Sequence, residues 1–392
     1  MSRFLRILVA VTALVHVPVA LGVAELAREL HWARPALVGT IWAALGVVLF
    51  VGRARAGMAD RKRHATIVRF VDVPYFIHWC AALFAIVPSV LATVVGPLMN
   101  LARGVPAGLP MRAYMALYLA GLVVCGYGVL VRRRWYHVVE REVRVRGLDP
   151  AFDGFRVAHL SDLHIGTLTP RSWGLAWARA SNLREPDLAV VTGDMVTSGT
   201  AYHDDIAEVV GALRAKHGAV VSMGNHDYFG DAEPLVTRLR ARGVKVLRNE
   251  GIAITPGTGE LAASPKGSGT TGTIWLAAID DTWTRRDDLA AALRHRPEDA
   301  SVVLLAHDPE RFAQAADAGA DLVLSGHTHG GQIAMPFLYR RVSLATLAHT
   351  YNVGFYERDG ATLYVHPGLG TTGPPIRLGI APEVTILVLR PG

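Results

Sequence analysis

FRVAHLSDLH, residues 155 to 164, is a mostly apolar run followed at once by an Asp-x-His pair. A short run of this kind suits a strand covered on both faces. The same union of run and polar turn recurs four times downstream. LAVV at 188 to 191 leads into Gly193 and Asp194, and AVVSM at 219 to 223 into GNHD at 224 to 227. SVVLLA at 301 to 306 meets His307, and LVL at 322 to 324 meets GHTH at 326 to 329. Further runs are TIWLAAI at 273 to 279, TLYV at 362 to 365 and VTILVL at 384 to 389, with helix-compatible segments at 172 to 183, 204 to 216, 234 to 242 and 309 to 317. Alternation of this kind predicts an α/β layered fold, and about 240 residues are ample for one core. Functional groups in such sheets collect beyond the carboxyl ends of the strands. Five turns spread over 168 residues can therefore converge on one edge. Singly each turn is a weak signal. Together they offer two Asp, one Asn and four His, the donors that two adjacent divalent cations require.

Working outward, the chain divides into unlike halves. Residues 1 to 150 hold 18 Lys and Arg against 7 Asp and Glu, whereas 151 to 392 hold 22 against 26. The basic balance thus belongs to the front half, and the half that carries the motifs lacks the basic excess of a nucleic-acid binder. Four apolar stretches fill the front half, about Leu5 to Val23, Ala36 to Val51, Tyr75 to Met99 and Tyr114 to Val131. Crossing hydrocarbon takes about 20 residues, and these stretches lack the polar stripe of a water-exposed bundle helix. They predict an all-α bundle of four transmembrane helices over 1–147, followed by the catalytic domain over 148–392. The first stretch also has the form of a signal peptide.

Arg and Lys number 14 in the segments before the first stretch, between the second and third, and after the fourth, against 4 in the other two loops. Basic loops stay on the cytoplasmic side. The expectation is a multi-pass protein of the inner (plasma) membrane with its catalytic domain cytoplasmic. His16 and His78 lie inside stretches as isolated residues without an acidic partner, which suits packing between helices better than an ion path. Cys80 and Cys125 also lie there, so the back half has no thiolate to bind metal.

The ordered pattern D-x-H, GD, GNH with an acid, a separate His and G-H-x-H resembles the calcineurin-like metallophosphoesterase family over roughly 152 to 390. The resemblance implies a four-layer α-β-β-α sandwich. It implies one metal on Asp162, His164, Asp194 and His329, and a second on Asp194, Asn225, His307 and His327, with Asp194 as bridge. His226 matches the family's catalytic histidine, and Asp227 would orient it. The implied reaction is hydrolysis of a phosphate ester by a hydroxide bridging two dications. Imidazole, carboxylate and amide donors suit Mn, Fe or Zn better than Mg. With Asp162 and Asp194 the formal anions, the loaded site keeps net positive charge and favours an anionic substrate.

MVTSG after GD lacks the Asp-Arg of the family's Ser/Thr protein phosphatases, and GNHD ends in Asp rather than Glu. Together with GGQ at 330 to 332 and GLGTTGPPIRLG at 368 to 379, the chain is similar to bacterial membrane-associated phosphodiesterases, whose relatives include pyrophosphatases of UDP-diacylglucosamine. The implied substrate is a phosphodiester or pyrophosphate, lipid-linked or nucleotide-containing, at the bilayer, with Arg132 to Arg134 near anionic headgroups. A non-catalytic metal- or ligand-binding membrane sensor is the alternative; the full set of ligands plus His226 argues against it. MPFLYRRVSLATLAH at 335 to 349 reads equally as an apolar lip touching lipid or as a loop packed on the domain. Asp281, His366, Arg340 and Arg341 read as a turn carboxylate, a loop histidine and a solvated pair. Pro256 to Gly272 reads as a flexible surface loop.

Overall fold

A computed structural model of the chain describes residues 3–58, 60–86, 109–256, 261–262 and 272–392. The end of the third apolar stretch with Pro88, Arg103 and most of the 256–272 loop lie outside the described residues. Two compact units divide the chain, Met1–Val131 and Arg132–Gly392.

Among the described residues of the first unit, four helices are long and apolar enough to cross a membrane: α1 (Arg6–Glu29), α2 (Pro35–Ala56), α3 (Ala65–Ile86) and α4 (Tyr114–Arg132). His16 and His78 are not isolated. Their Nε2 atoms lie 3.0 Å apart, His16 Nδ1 is 2.6 Å from the Thr12 carbonyl, and His78 Nδ1 is 2.7 Å from the Tyr118 hydroxyl. These contacts join α1, α3 and α4 by polar groups that would be costly to bury unpaired. Asp72, in the first half of α3, pairs with Arg53 of α2 and bidentately with Arg63.

The second unit contains two mixed sheets. The first has order β1-β13-β2-β3-β4-β5, formed by His137–Val145, Glu383–Pro391, Arg156–Leu160, Leu188–Thr192, Ala219–Ser222 and Lys245–Val246. The second has order β11-β12-β10-β9-β8-β6-β7, formed by Gly354–Arg358, Ala361–Val365, Leu322–Ser325, Ser301–Leu305, Ile274–Ala278, Glu250–Ile254 and Leu261–Ala262.

Side-chain alternation with period two explains the layering. Leu188 and Val190 of β3 share a core with Val303 and Leu305 of β9 and with Leu322 and Leu324 of β10, between the sheets. Ala189 and Val191 face the opposite way, into a core with α5 (Arg171–Asn182), α6 (His203–Gly211) and α7 (Glu233–Arg240). Val302, Leu304 and Val323 likewise pack outward with α8 (Leu289–Leu293) and α9 (Phe312–Asp317). The result is the four-layer α-β-β-α sandwich.

The two compact units part at 131/132. β1, with its alternating charges, pairs in parallel with β13 and so belongs to the sandwich. The Arg133 and Arg134 guanidinium groups both lie over Trp173, at 4.9 and 5.2 Å, and Arg133 donates to the Leu168 carbonyl.

Candidate metal centre

Strands β2, β3 and β4 run parallel in one sheet, and β9 and β10 run parallel in the other. Their carboxyl ends release Asp162, Asp194, Asn225, His307 and His327. Tight exits from these strands force unusual backbone. Asp162, His164, Asp194, His327 and His329 all take φ between 44° and 70°, the left-handed region that side-chain-bearing residues rarely enter. Five such residues in one place mark strain held by the surrounding structure, the pattern of a functional site. Gly326 shows how close the turns come, since an added Cβ would lie 2.3 Å from Asp162 Oδ2.

Three interlocking triads result, each with its ligand atoms within 4.8 Å of one another: Asp162, His164 and His329; His164, Asp194 and His226; and Asp194, His307 and His327. Asp194 is shared. Its Oδ2 lies 3.6 Å from His164 Nε2 and 3.3 Å from His307 Nε2, while its Oδ1 accepts from His226 N at 2.9 Å. Asp162 Oδ1 lies 3.3 Å from His329 Nε2. Pairs of imidazole nitrogens converge as well, His164 with His329 at 3.0 Å and His307 with His327 at 3.2 Å. Asn225 follows Gly224, whose added Cβ would lie 2.4 Å from Asp194 Oδ1, and its buried Oδ1 has no hydrogen-bond partner. An orphaned amide oxygen is costly, and a cation is a fitting partner for it. The donor set therefore fits two divalent ions.

Outer contacts fix the rings. His307 Nδ1 donates to the Thr192 carbonyl at 2.7 Å and His164 Nδ1 to the Val196 carbonyl at 3.2 Å, so each presents Nε2 inward. Arg377, fully buried, hydrogen-bonds the carbonyls of Pro367, Gly368 and Gly370 and sits 3.4 Å from His329 Nδ1. Burial, then the neighbouring histidines, pushes His164 and His327 down to about 3. These rings are therefore neutral, the state in which imidazole binds metal. Burial alone would raise Asp194, yet His307, His226 and His164 hold it well below the usual carboxylate range.

His226 Nδ1 donates to the Thr197 carbonyl at 2.7 Å, and its Nε2 lies 3.3 Å from the Thr372 hydroxyl. Asp227, expected from the sequence to orient His226, makes its hydrogen bonds to backbone. Its carboxylate accepts from the backbone of Met195, Val196 and Gly224, clamping the β3 and β4 turns together. Thr197, Thr372 and Arg377 were missed by sequence reasoning. Thr372 and Arg377 lie in the GLGTTGPPIRLG segment, whose glycines were the one available signal.

Asp281 accepts from Trp283 N and Thr284 N, a turn carboxylate as expected. His366 lies in the loop after β12 and is buried there, accepting from Gly368 N and packing against His159 with ring centroids 4.9 Å apart. His159 in turn meets the Thr192 hydroxyl at 2.8 Å. Burial pushes His159 down to about 3 from an ordinary 6.5. With the folded value depressed, the stability it contributes is complete above pH 6.5. It is lost as pH falls toward 3, because the unfolded chain binds the proton first, at about 1.4 kcal/mol per pH unit. His159→Gln is expected to flatten the pH dependence of denaturation of the detergent-solubilised chain by about that slope. An unchanged slope would mean that His159 is charged in the native state.

The family model described as calcineurin-like phosphoesterase matches residues 155–331. The uncharacterized metallophosphoesterase YkuE of Bacillus subtilis is 29% identical over 268 residues, covering 68% of this chain and 89% of the relative. YkoQ, another uncharacterized metallophosphoesterase of that organism, is 30% identical over 246 residues, or 60% of this chain and 84% of the relative. A transmembrane protein with metallophosphoesterase domain from Danio rerio is 30% identical over 299 residues, 74% of this chain; the chain spans 65% of that relative's length.

Proposed function

Because the chain belongs to the calcineurin-like phosphoesterase family, we propose that it is a membrane-anchored hydrolase of phosphodiester or pyrophosphate bonds, acting at the cytoplasmic face on a lipid-linked or nucleotide-containing substrate. The observation that carries this reading is the sharing of Asp194 between two sets of imidazoles. Asp162, His164, Asp194 and His329 would hold one ion; Asp194, Asn225, His307 and His327 would hold the other, with Mn, Fe or Zn suiting the mixed donors. When bound, two dications activate a water as nucleophile and neutralise charge on the phosphoryl oxygens.

The chain's own residues supply the rest. His226 keeps its Nδ1 proton on the Thr197 carbonyl, which leaves Nε2 as the atom that takes up a proton from solvent before the reaction and delivers it to the departing oxygen. Thr372 and the Asp194 contact to His226 N hold that ring over the shared carboxylate. Asp227 fixes the turns that carry Asp194 and Asn225. Absence of the protein-phosphatase Asp-Arg after GD supports a substrate other than a phosphoprotein, and the distribution of Arg and Lys supports the cytoplasmic placement.

Sealed vesicles carrying the full-length chain test both parts. Inside-out vesicles with Mn²⁺ are expected to hydrolyse impermeant bis(p-nitrophenyl) phosphate faster than the corresponding monoester, and to lose this activity with a chelator. Right-side-out vesicles are expected to be silent. A preference for monoesters would overturn the bond type, activity outside would overturn the sidedness, and no turnover of any ester or pyrophosphate would overturn the enzyme.

A further inference from the structure

The segment after the GHTH turn buries only its small residues, Ala334, Ser343 and Ala345, and leaves its large apolar side chains outside. Met335, Leu338, Val342 and Leu344 are about half exposed, Leu347 is 84% exposed and Phe337 98%. Its backbone is nonetheless built. Ala334 bridges Ser343, Ile333 bridges Leu378, and Asn352 Nδ2 donates to the carbonyls of Tyr339 and Arg340. The Arg340 guanidinium donates to the Phe355 carbonyl and lies over Tyr356. Phe337 has φ 66°, an uncommon conformation for a bulky side chain. The fold thus holds apolar groups out in solvent, against the ordinary preference of a water-soluble surface. Arg340 and Arg341 are exposed within the loop, and residues 335 to 349 contain no acid.

Two more exposed aromatics flank the metal centre. Phe229, 53% exposed, packs on His226 with centroids 4.4 Å apart, and Trp283, 63% exposed, packs on His327 at 5.1 Å. An apolar surface interleaved with Arg and free of acid complements an anionic bilayer. The same chain carries four helices long and apolar enough to span one.

We propose that the 335–347 loop docks into the surface of an anionic bilayer, Phe337 entering the acyl boundary and Arg340 and Arg341 meeting headgroups, so that an amphiphilic phosphoester reaches the Asp194 centre past Phe229 and Trp283. The docking surface stands independently of turnover; only the choice of an amphiphilic substrate rests on the proposed hydrolysis.

The test uses the full chain in nanodiscs, with Phe337→Cys carrying an environment-sensitive fluorophore. Cys80 and Cys125 are buried, and the labelled wild-type chain serves as blank. In discs of phosphatidylglycerol and phosphatidylcholine the probe is expected to shift to the blue and lose most of its emission to nitroxide-labelled lipid, with a smaller effect in phosphatidylcholine alone. A probe open to aqueous iodide overturns the proposal. So does one shielded from iodide yet unquenched by lipid, since a second copy or the chain's own helices would then cover the loop. For the substrate arm, Phe337→Ser is expected to raise KM for a diacyl phosphoester about tenfold, with kcat and the kinetics of a water-soluble diester unchanged. Equal effects on both substrates overturn that arm. Lipid quenching without any hydrolysis would leave the docking surface intact while removing the proposed activity.

Discussion

Asp194→Asn is expected to lower kcat for a generic diester with Mn²⁺ on the order of 10³-fold or more, and to reduce bound metal, measured by elemental analysis, from two ions per chain to one or none. The expectation follows from the sharing of this carboxylate. Its Oδ2 faces His164 and His307, one from each ligand set, and its Oδ1 receives the His226 amide. An amide in its place keeps the shape but removes one of only two carboxylates among the seven proposed ligands, and it can turn a donating NH₂ toward a cation. Metal content separates the causes of lost activity. A variant that stays fully loaded and fully active would sink the bridging assignment and the hydrolase with it.

His226→Gln is the second large effect. With its ring against Phe229 and its Nδ1 proton on Thr197, His226 can act as a proton donor without holding metal. Loss of a general acid costs roughly 10² to 10⁴ in rate. kcat for an alkyl ester is expected to fall in that range, while metal content and KM stay near wild type. An ester with an acidic phenol as leaving group needs less protonation, so its loss is expected to be smaller. His226 also forms a triad with His164 and Asp194, and that gives the opposite outcome a meaning: depletion of metal together with equal losses on both esters would make His226 a ligand rather than an acid.

Much of this centre could be read before any coordinates. Each ligand turn directly abuts a strand, so contiguous residues carried both the local structure and the chemistry, and parallel strands did the gathering. What escaped depended on contacts that sequence spacing conceals. His16 and His78 are 62 residues apart and meet only because α1 and α3 present them at one depth. HVVEREVRV at 137 to 145 had only its arginines counted with the segment after the fourth stretch; it is a strand, identified by a partner far along the chain. Thr372 and Arg377 hold histidines through a hydroxyl, a guanidinium and backbone carbonyls, groups that no residue pattern singles out. Asp227 was placed correctly in the motif, but its partners are backbone N–H groups from two different turns, which a motif cannot specify. The 335–349 segment was ambiguous because apolar composition fits both a buried loop and an exposed one.

The position of β13 has a consequence for biogenesis. β1 emerges directly after the fourth helix, yet its neighbour in the sheet is β13, with Arg390 reaching Glu142 across 248 residues of sequence. β13 also separates β1 from β2. During synthesis at the ribosome, β1 is therefore an unmated edge until the whole sandwich has been translated. Pairings this distant in sequence form slowly, and open edges invite wrong partners. The charges at Glu140, Arg141, Glu142 and Arg144 give the waiting strand a hydrated rim over the tens of seconds, roughly, of its making.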